Sequence, residues 1–298
     1  MDAQRFMRKP DETLEDLRSE IDQIDDALHD LMMQRAQVSR AIAKVKQARD
    51  PGKGGLTPAF RPAREAAILR RLLSRHEGAL PPRVIVRIWR EMIAASLRVQ
   101  TSFHLHVCAA DTHSQFIDLA HAHFGSFTPV RTHTRPSLVV HACAEEPDSI
   151  GVVPLPQIEE AGPAWWAQLA PAGEKGPRIV AKLPFAGGEG DDAAYAIAAI
   201  DHEPSGDDTT LLLIEIAPSV SRTRLKSLLK GAGFDARLVA AGRLMDKKVP
   251  DELLVEISGF AGASDPRLAA LTEMAGEIIG RASPIGGFAN PVTLPGVV

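Results

Sequence analysis

One apolar stripe limits what this chain can fold into. Leu14, Leu17, Ile21, Ile24, Leu28, Leu31, Arg35, Val38, Ile42 and Val45 recur at alternating spacings of three and four. That pattern marks one face of a helix of about nine turns, roughly 48 Å long at 1.5 Å per residue. A stripe this long cannot be buried by a short neighbour, so the helix needs a partner of comparable length. The stripe carries nine aliphatic side chains and one arginine. Arg35 therefore points at whatever the stripe packs against. A guanidinium in that place is costly unless it reaches solvent or something anionic meets it.

The rest of the first hundred residues is also helical. Residues 1–12 are polar, contain Pro10 and read as a frayed tail without the apolar core of a leader. Thr13 is the expected N-cap, with Asp16 three residues on. The Pro and Gly cluster from Asp50 to Gly55 ends the long helix. Pro62 opens a second helix in its first turn, with an inner face of Glu65, Ile68, Leu69 and Leu72, broken at Gly78. Pro81 and Pro82 open a third, whose face reads Ile85, Trp89, Met92, Ile93, Ser96 and Gln100.

Polar residues again stand where apolar ones are expected: Glu65 on the second helix, Ser96 and Gln100 on the third. Arg35 and Lys46 are 11 residues apart, three turns, hence on one face about 16 Å apart along the axis. Long cations, one carboxylate and two neutral polar side chains suit a small polyanion that also carries a hydroxyl. Arg18 lies 17 residues before Arg35, about 25 Å along the same rigid helix. One small ligand cannot touch both, so an Arg18 contact would belong to the site of a second subunit, as in a twofold dimer of antiparallel long helices.

The stretches LEDLRSEIDQIDDALHDLMMQRAQVSRAIAKVKQ, FRPAREAAILRRL and IWREMIAASLRVQ resemble the all-helical chorismate mutase family, including the mutase part of bifunctional chorismate mutase–prephenate dehydratases. The resemblance covers about residues 13–102 and implies an intertwined helical dimer. Its site positions fall on Arg18, Arg35, Lys46, Arg64, Glu65, Ser96 and Gln100; the one departure is Arg61, where the family pattern has an aspartate. The implied substrate is chorismate, a dianion that rearranges to prephenate in a concerted step of aromatic amino-acid biosynthesis. No nucleophile, cofactor or metal is needed. The arginines would hold the carboxylates, to which the guanidinium fork is matched, and Ser96 would help. Lys46 and Gln100 would donate to the breaking ether oxygen, and Glu65 would accept from the ring hydroxyl. A glutamine at 100 donates without having to be protonated, unlike a glutamate.

From Phe103 the composition changes. HLHVCAADT, SLVVHACA, SIGVVPLPQ, RIVAKLPF and AYAIAAI read as strands, and Ser114 to Phe124 as a helix ending at Gly125, an α/β alternation. Residues 103–208 look like a shortened, degenerate prephenate dehydratase lobe, through Phe124-Gly125 and Gly151-Val152-Val153-Pro154. The Gly-rich start, the Glu-Asn-Ser after that Pro (here Pro156, Gln157, Ile158) and the Thr-Arg-Phe motif are all missing; the nearest string is Thr223-Arg224-Leu225. No dehydratase activity is expected. Residues 209–298 read βαββαβ, a ferredoxin-like order. Place and length resemble the ACT domain, with both of its ligand motifs lost, at Val220-Ser221-Arg222 and Ala240-Ala241-Gly242-Arg243.

Composition narrows the alternatives. The formal net charge is −4, which argues against a nucleic-acid partner. No apolar run approaches the roughly 18 residues of a membrane span. The two cysteines have no ligand spacing, and the adjacent imidazoles of His121-Ala122-His123 fall on different helix faces, so no metal is expected. A cytoplasmic homodimer is the expectation. Two other functions fit the same residues: an isochorismate–pyruvate lyase, and a regulatory protein working through its C-terminal half. Glu65, set for a ring hydroxyl, favours the mutase over the lyase.

Overall fold

The computed structural model describes residues 13–49, 55–109, 114–157, 164–187, 193–217, 220–242 and 251–294. The polar tail of residues 1–12, most of the Asp50–Gly55 break and His113 lie outside them. The chain divides into two compact units, residues 1–52 and 53–298.

Among the described residues, the first unit consists of one helix, α1 (Leu14–Arg49). Thr13 starts it as the sequence requires. Its hydroxyl accepts from the Asp16 amide at 3.2 Å, and the Asp16 carboxylate accepts from the Thr13 amide at 3.0 Å, a reciprocal cap. The Thr13 hydroxyl, which also donates to the Asp16 carboxylate at 2.6 Å, and then the Thr13 amide hold the Asp16 carboxyl below its ordinary pKa. Lys46 and Arg49 occupy the last turn, where cations oppose the helix dipole. The aliphatic stripe is open: Leu14, Ile21, Ile24, Leu28, Leu31, Val38, Ile42 and Val45 are 45–67% exposed.

The second unit is built on a nine-stranded sheet. Its strands are β1 (His104–Cys108), β2 (Val130–His133), β3 (Ser149–Pro154), β4 (Arg178–Leu183), β5 (Ala194–Ala198), β6 (Asp208–Ile216), β7 (Ala236–Gly242), β8 (Asp251–Ser258) and β9 (Ile279–Ala289). The order across the sheet is β2-β1-β3-β5-β4-β9-β6-β8-β7. β2, β1 and β3 are parallel, joined by α5 (Gln115–Phe124) and α6 (Pro136–Glu145). The last four strands are antiparallel, with α7 (Arg222–Gly231) and α8 (Pro266–Ala275) between them, giving the ferredoxin-like βαββαβ unit expected from the sequence. Leu225, Leu228, Leu268 and Leu271 of these helices are buried with Leu212, Ile214 and Val255 of the strands.

The two strand systems meet where β4 runs parallel to β9, at the register pair Ile179 and Gly286. Gly286 has φ +125°, and a Cβ there would lie 2.1 Å from the Ile179 carbonyl oxygen. Only glycine lets the backbones approach so closely. One apolar cluster spans this seam, taking in Val139, Trp166 and Ile197 from one side and Leu211, Leu254 and Ile285 from the other.

Three helices precede the sheet in this unit: α2 (Leu56–Ala59), α3 (Pro62–Ser74) and α4 (Pro82–Gln100). Leu56, Phe60 and Leu97 are buried with Phe103, Leu105 and Phe124, and Ala66 and Leu69 with Phe185 and Ala289. The buried face of α4 is Arg90, Ile93, Ala94 and Leu97. It is turned from the face expected from the sequence, of which Ile93 alone is buried.

One element differs in kind from the sequence reading. SLVVHACA is the helix α6, not a strand. A short apolar run fits either periodicity. Pro136 in the first turn starts a helix, and Val139, Val140 and Cys143 then fall on its buried side. The strand of that region is β2, just upstream, and the last strand β9 has 11 residues rather than a short run.

Candidate functional site

Arg18, Arg35 and Lys46 are carried by α1, and Arg64, Glu65, Ser96 and Gln100 by α3 and α4. On α1, Arg18 is exposed and 3.8 Å from Glu15 one turn back. Arg35 is half-buried, and burial lowers its pKa from the ordinary guanidinium value. Lys46, in the last turn, is half-buried as well. Arg35 lies within the aliphatic stripe, and Lys46 follows its last member, Val45.

In the second unit, Pro62 occupies the first turn of α3, and the Glu65 amide donates to the Arg61 carbonyl at 3.1 Å, closing that turn. This fixes Arg64 outward and Glu65 inward: Arg64 is exposed and Glu65 buried. The Arg61 side chain pairs with Glu203 at 2.9 Å, so at this position the departing side chain is engaged elsewhere. On α4 the Ser96 hydroxyl donates to the Met92 carbonyl at 2.7 Å, and Gln100 Nε2 donates to the Ser96 carbonyl at 3.0 Å. Both are half-buried and one turn apart on a single row of the helix.

The Glu65 carboxylate is not alone. Arg90 Nη1 donates to Glu65 Oε2 at 3.0 Å, with the two side chains 5% and 12% exposed. Burial lowers the Arg90 guanidinium to about 10, with Glu65 opposing the shift, and burial raises Glu65 against the pull of Arg90. The guanidinium also lies 5.1 Å over the Phe185 ring. Beside it, burial and the Arg90 charge keep His123 neutral, well below its ordinary pKa. Arg90 and His123 line a cavity of about 480 Å³ together with Arg87, Leu119 and Phe185. The sequence reading did not select Arg90. Its signal was available, since Arg90 precedes Ile93, Ala94 and Leu97 by three, four and seven residues, the spacing of one helix face.

Residues 17–101 match the family described as chorismate mutase type II. This stretch is a chorismate mutase domain. It is 37% identical over 90 residues to a bifunctional chorismate mutase/prephenate dehydratase of Neisseria gonorrhoeae, covering 30% of this chain and 23% of that one. It is 32% identical over 87 residues to the enzyme of the same description from Stutzerimonas stutzeri, covering 29% and 24%. The match thus spans about a quarter of these relatives. A solved prephenate dehydratase of Streptococcus mutans superposes with a TM-score of 0.46 at 13% identity, over 65% of this chain and all of that one. All seven candidate residues fall inside the mutase domain. Among the described residues, no helix is long and apolar enough to cross a membrane.

Proposed function

We propose that the chain is a homodimeric chorismate mutase that converts chorismate to prephenate and has no dehydratase activity. The observation that carries this reading is the joint presence of Arg18, Arg35, Lys46, Arg64, Glu65, Ser96 and Gln100 in a stretch that matches the mutase family. The reaction asks the protein to fold the substrate into its compact form and to stabilise charge on the breaking ether oxygen. Arg18, Arg35, Arg64 and Ser96 bind the carboxylates. Lys46 and Gln100 donate to the ether oxygen. Glu65 accepts from the ring hydroxyl, with Arg90 setting its orientation. The missing Glu-Asn-Ser and Thr-Arg-Phe motifs support the absence of dehydration in residues 103–208, and the lost ligand motifs leave residues 209–298 a scaffolding role. The assay offers chorismate and, separately, isochorismate, with identification of the products: prephenate from chorismate supports the reading, while salicylate with pyruvate from isochorismate alone, or no turnover of chorismate, refutes it.

The dimer rests on the open stripe of α1 and on the spacing of Arg18 from Arg35. A second copy of α1, antiparallel, supplies a partner of matching length and apolar surface. Each of Arg18→Ala and Arg35→Ala should then be inactive alone, and mixing the two should restore about a quarter of wild-type activity. Half of randomly assorted dimers are heterodimers, and each heterodimer collects both lesions in one of its two sites. Absence of recovery, with subunit exchange verified by mass spectrometry, would place Arg18 outside the site.

A further inference from the structure

The histidines of β1 gather at a place the mutase reaction does not use. His104 and His106 are two apart on a strand, so both imidazoles leave the same face. His104 Nε2 stands 3.2 Å from His106 Nε2. Glu146, the residue following α6, brings one carboxylate oxygen to 2.9 Å from His104 Nε2 and the other to 3.9 Å from His106 Nε2. One donor atom from each of the three lies within 4.8 Å of the others. A tetrahedral zinc ion with bonds of about 2.0–2.1 Å holds its ligand atoms about 3.3 Å apart. The imidazole pair already stands at that separation, and the carboxylate brackets it.

We propose that His104, His106 and Glu146 bind a divalent transition-metal ion of the zinc type, with water in the fourth position. Two imidazoles and one carboxylate favour zinc, copper or nickel over calcium or magnesium. The surrounding residues hold this donor set in place. His106 Nδ1 is 2.9 Å from His133 Nε2 on the adjacent β2. A proton carried on Nδ1 and donated to His133 fixes the tautomer whose free Nε2 lone pair faces the ion. Arg131, the register partner of His106 on β2, donates through Nη1 to both Glu146 oxygens at 2.9 Å. When the ion takes one oxygen, the other remains bonded to the arginine and the carboxylate stays oriented. The site has a floor and an entrance: the His106 side chain is 2% exposed, that of His104 22% and that of Glu146 43%.

The test uses the untagged full-length chain, stripped with a chelator and titrated with zinc chloride and cobalt chloride. The expected result is one ion per chain above any weak background, with the visible absorption of four-coordinate cobalt. His104→Gln and Glu146→Gln sit at the exposed side of the cluster, away from the core. Each should weaken binding at least about tenfold with an unchanged far-ultraviolet spectrum, and His133→Gln by about 10–100-fold through the orientation of His106. Chorismate turnover should be unaffected in these variants, so this result and that of the mutase assay are read separately. Absence of the cobalt band, or equal zinc affinity in the wild type and in both ligand variants, would overturn the proposal and assign any bound metal to other histidines.

Discussion

Lys46→Ala in the full-length chain should lower kcat/KM for chorismate by a factor of at least about 10², a loss of about 3 kcal/mol of transition-state stabilisation. The lysine is half-buried in the last turn of α1 and, in the proposed mechanism, donates to the ether oxygen as charge builds there. That interaction strengthens in the transition state, so the loss should fall mainly on kcat. Arg35→Ala should lose a similar amount, but with a rise in KM, because the guanidinium holds a carboxylate in both states. Steady-state kinetics on chorismate check both variants. An unchanged kcat/KM in a folded Lys46→Ala protein would remove the mechanism.

Arg90→Met should destabilise the second unit by about 3–5 kcal/mol, the cost of leaving a buried partner charge uncompensated. Glu65 is buried against the guanidinium, and Arg90→Met leaves its carboxylate without that partner. Urea unfolding followed by circular dichroism measures the loss. The double variant Glu65→Gln, Arg90→Met should recover most of it, because no charge then remains buried. A cost below about 1 kcal/mol for Arg90→Met would mean the pair behaves as an exposed one. The comparison also separates two roles of Glu65. The double variant regains stability, yet it should stay poor in turnover, since the neutral amide oxygen of glutamine is a weaker acceptor for the ring hydroxyl than a carboxylate.

The legible parts of the sequence were those fixed by local chemistry. The reciprocal cap at Thr13, Pro62 and Pro82 in first turns, and the alternation of βαββαβ are written in short stretches, and the elements follow them. Long-range pairing was less legible. The run from Ser137 to Ala144 reads equally as strand or helix until its neighbours exist, and packing on β3 decides it. The face of α4 was misjudged because its apolar residues are spread around the helix; the side packed against α5 and α3 takes Ile93, Ala94 and Leu97, and leaves Ser96 and Gln100 half-buried. Arg90 escaped notice for the same reason, its partner lying 25 residues earlier. Of the histidine cluster, spacing reaches only His104 and His106, which share one face of a strand. Glu146 joins that pair only through the β1–β3 pairing and the end of α6. The packing of α3 on β9 and of α4 on α5 also bears on shortened versions of the chain. Ending it at residue 102 would strip the cover from Phe60, Leu69 and Leu97, so kinetic comparisons belong to the full chain.

The seam at Ile179 and Gly286 has a consequence for how the molecule comes apart. Residues 199–207 form the connection between β5 and β6, and several of them are exposed, so a protease can reach it. A single cut there would yield fragments of unequal length that are still held by β4 against β9 and by the apolar cluster running under both. The nicked protein should travel through a sizing column as one species and separate only in denaturant. Heating should likewise give one calorimetric peak for the sheet unit, with van't Hoff and calorimetric enthalpies in agreement, instead of one peak for each half.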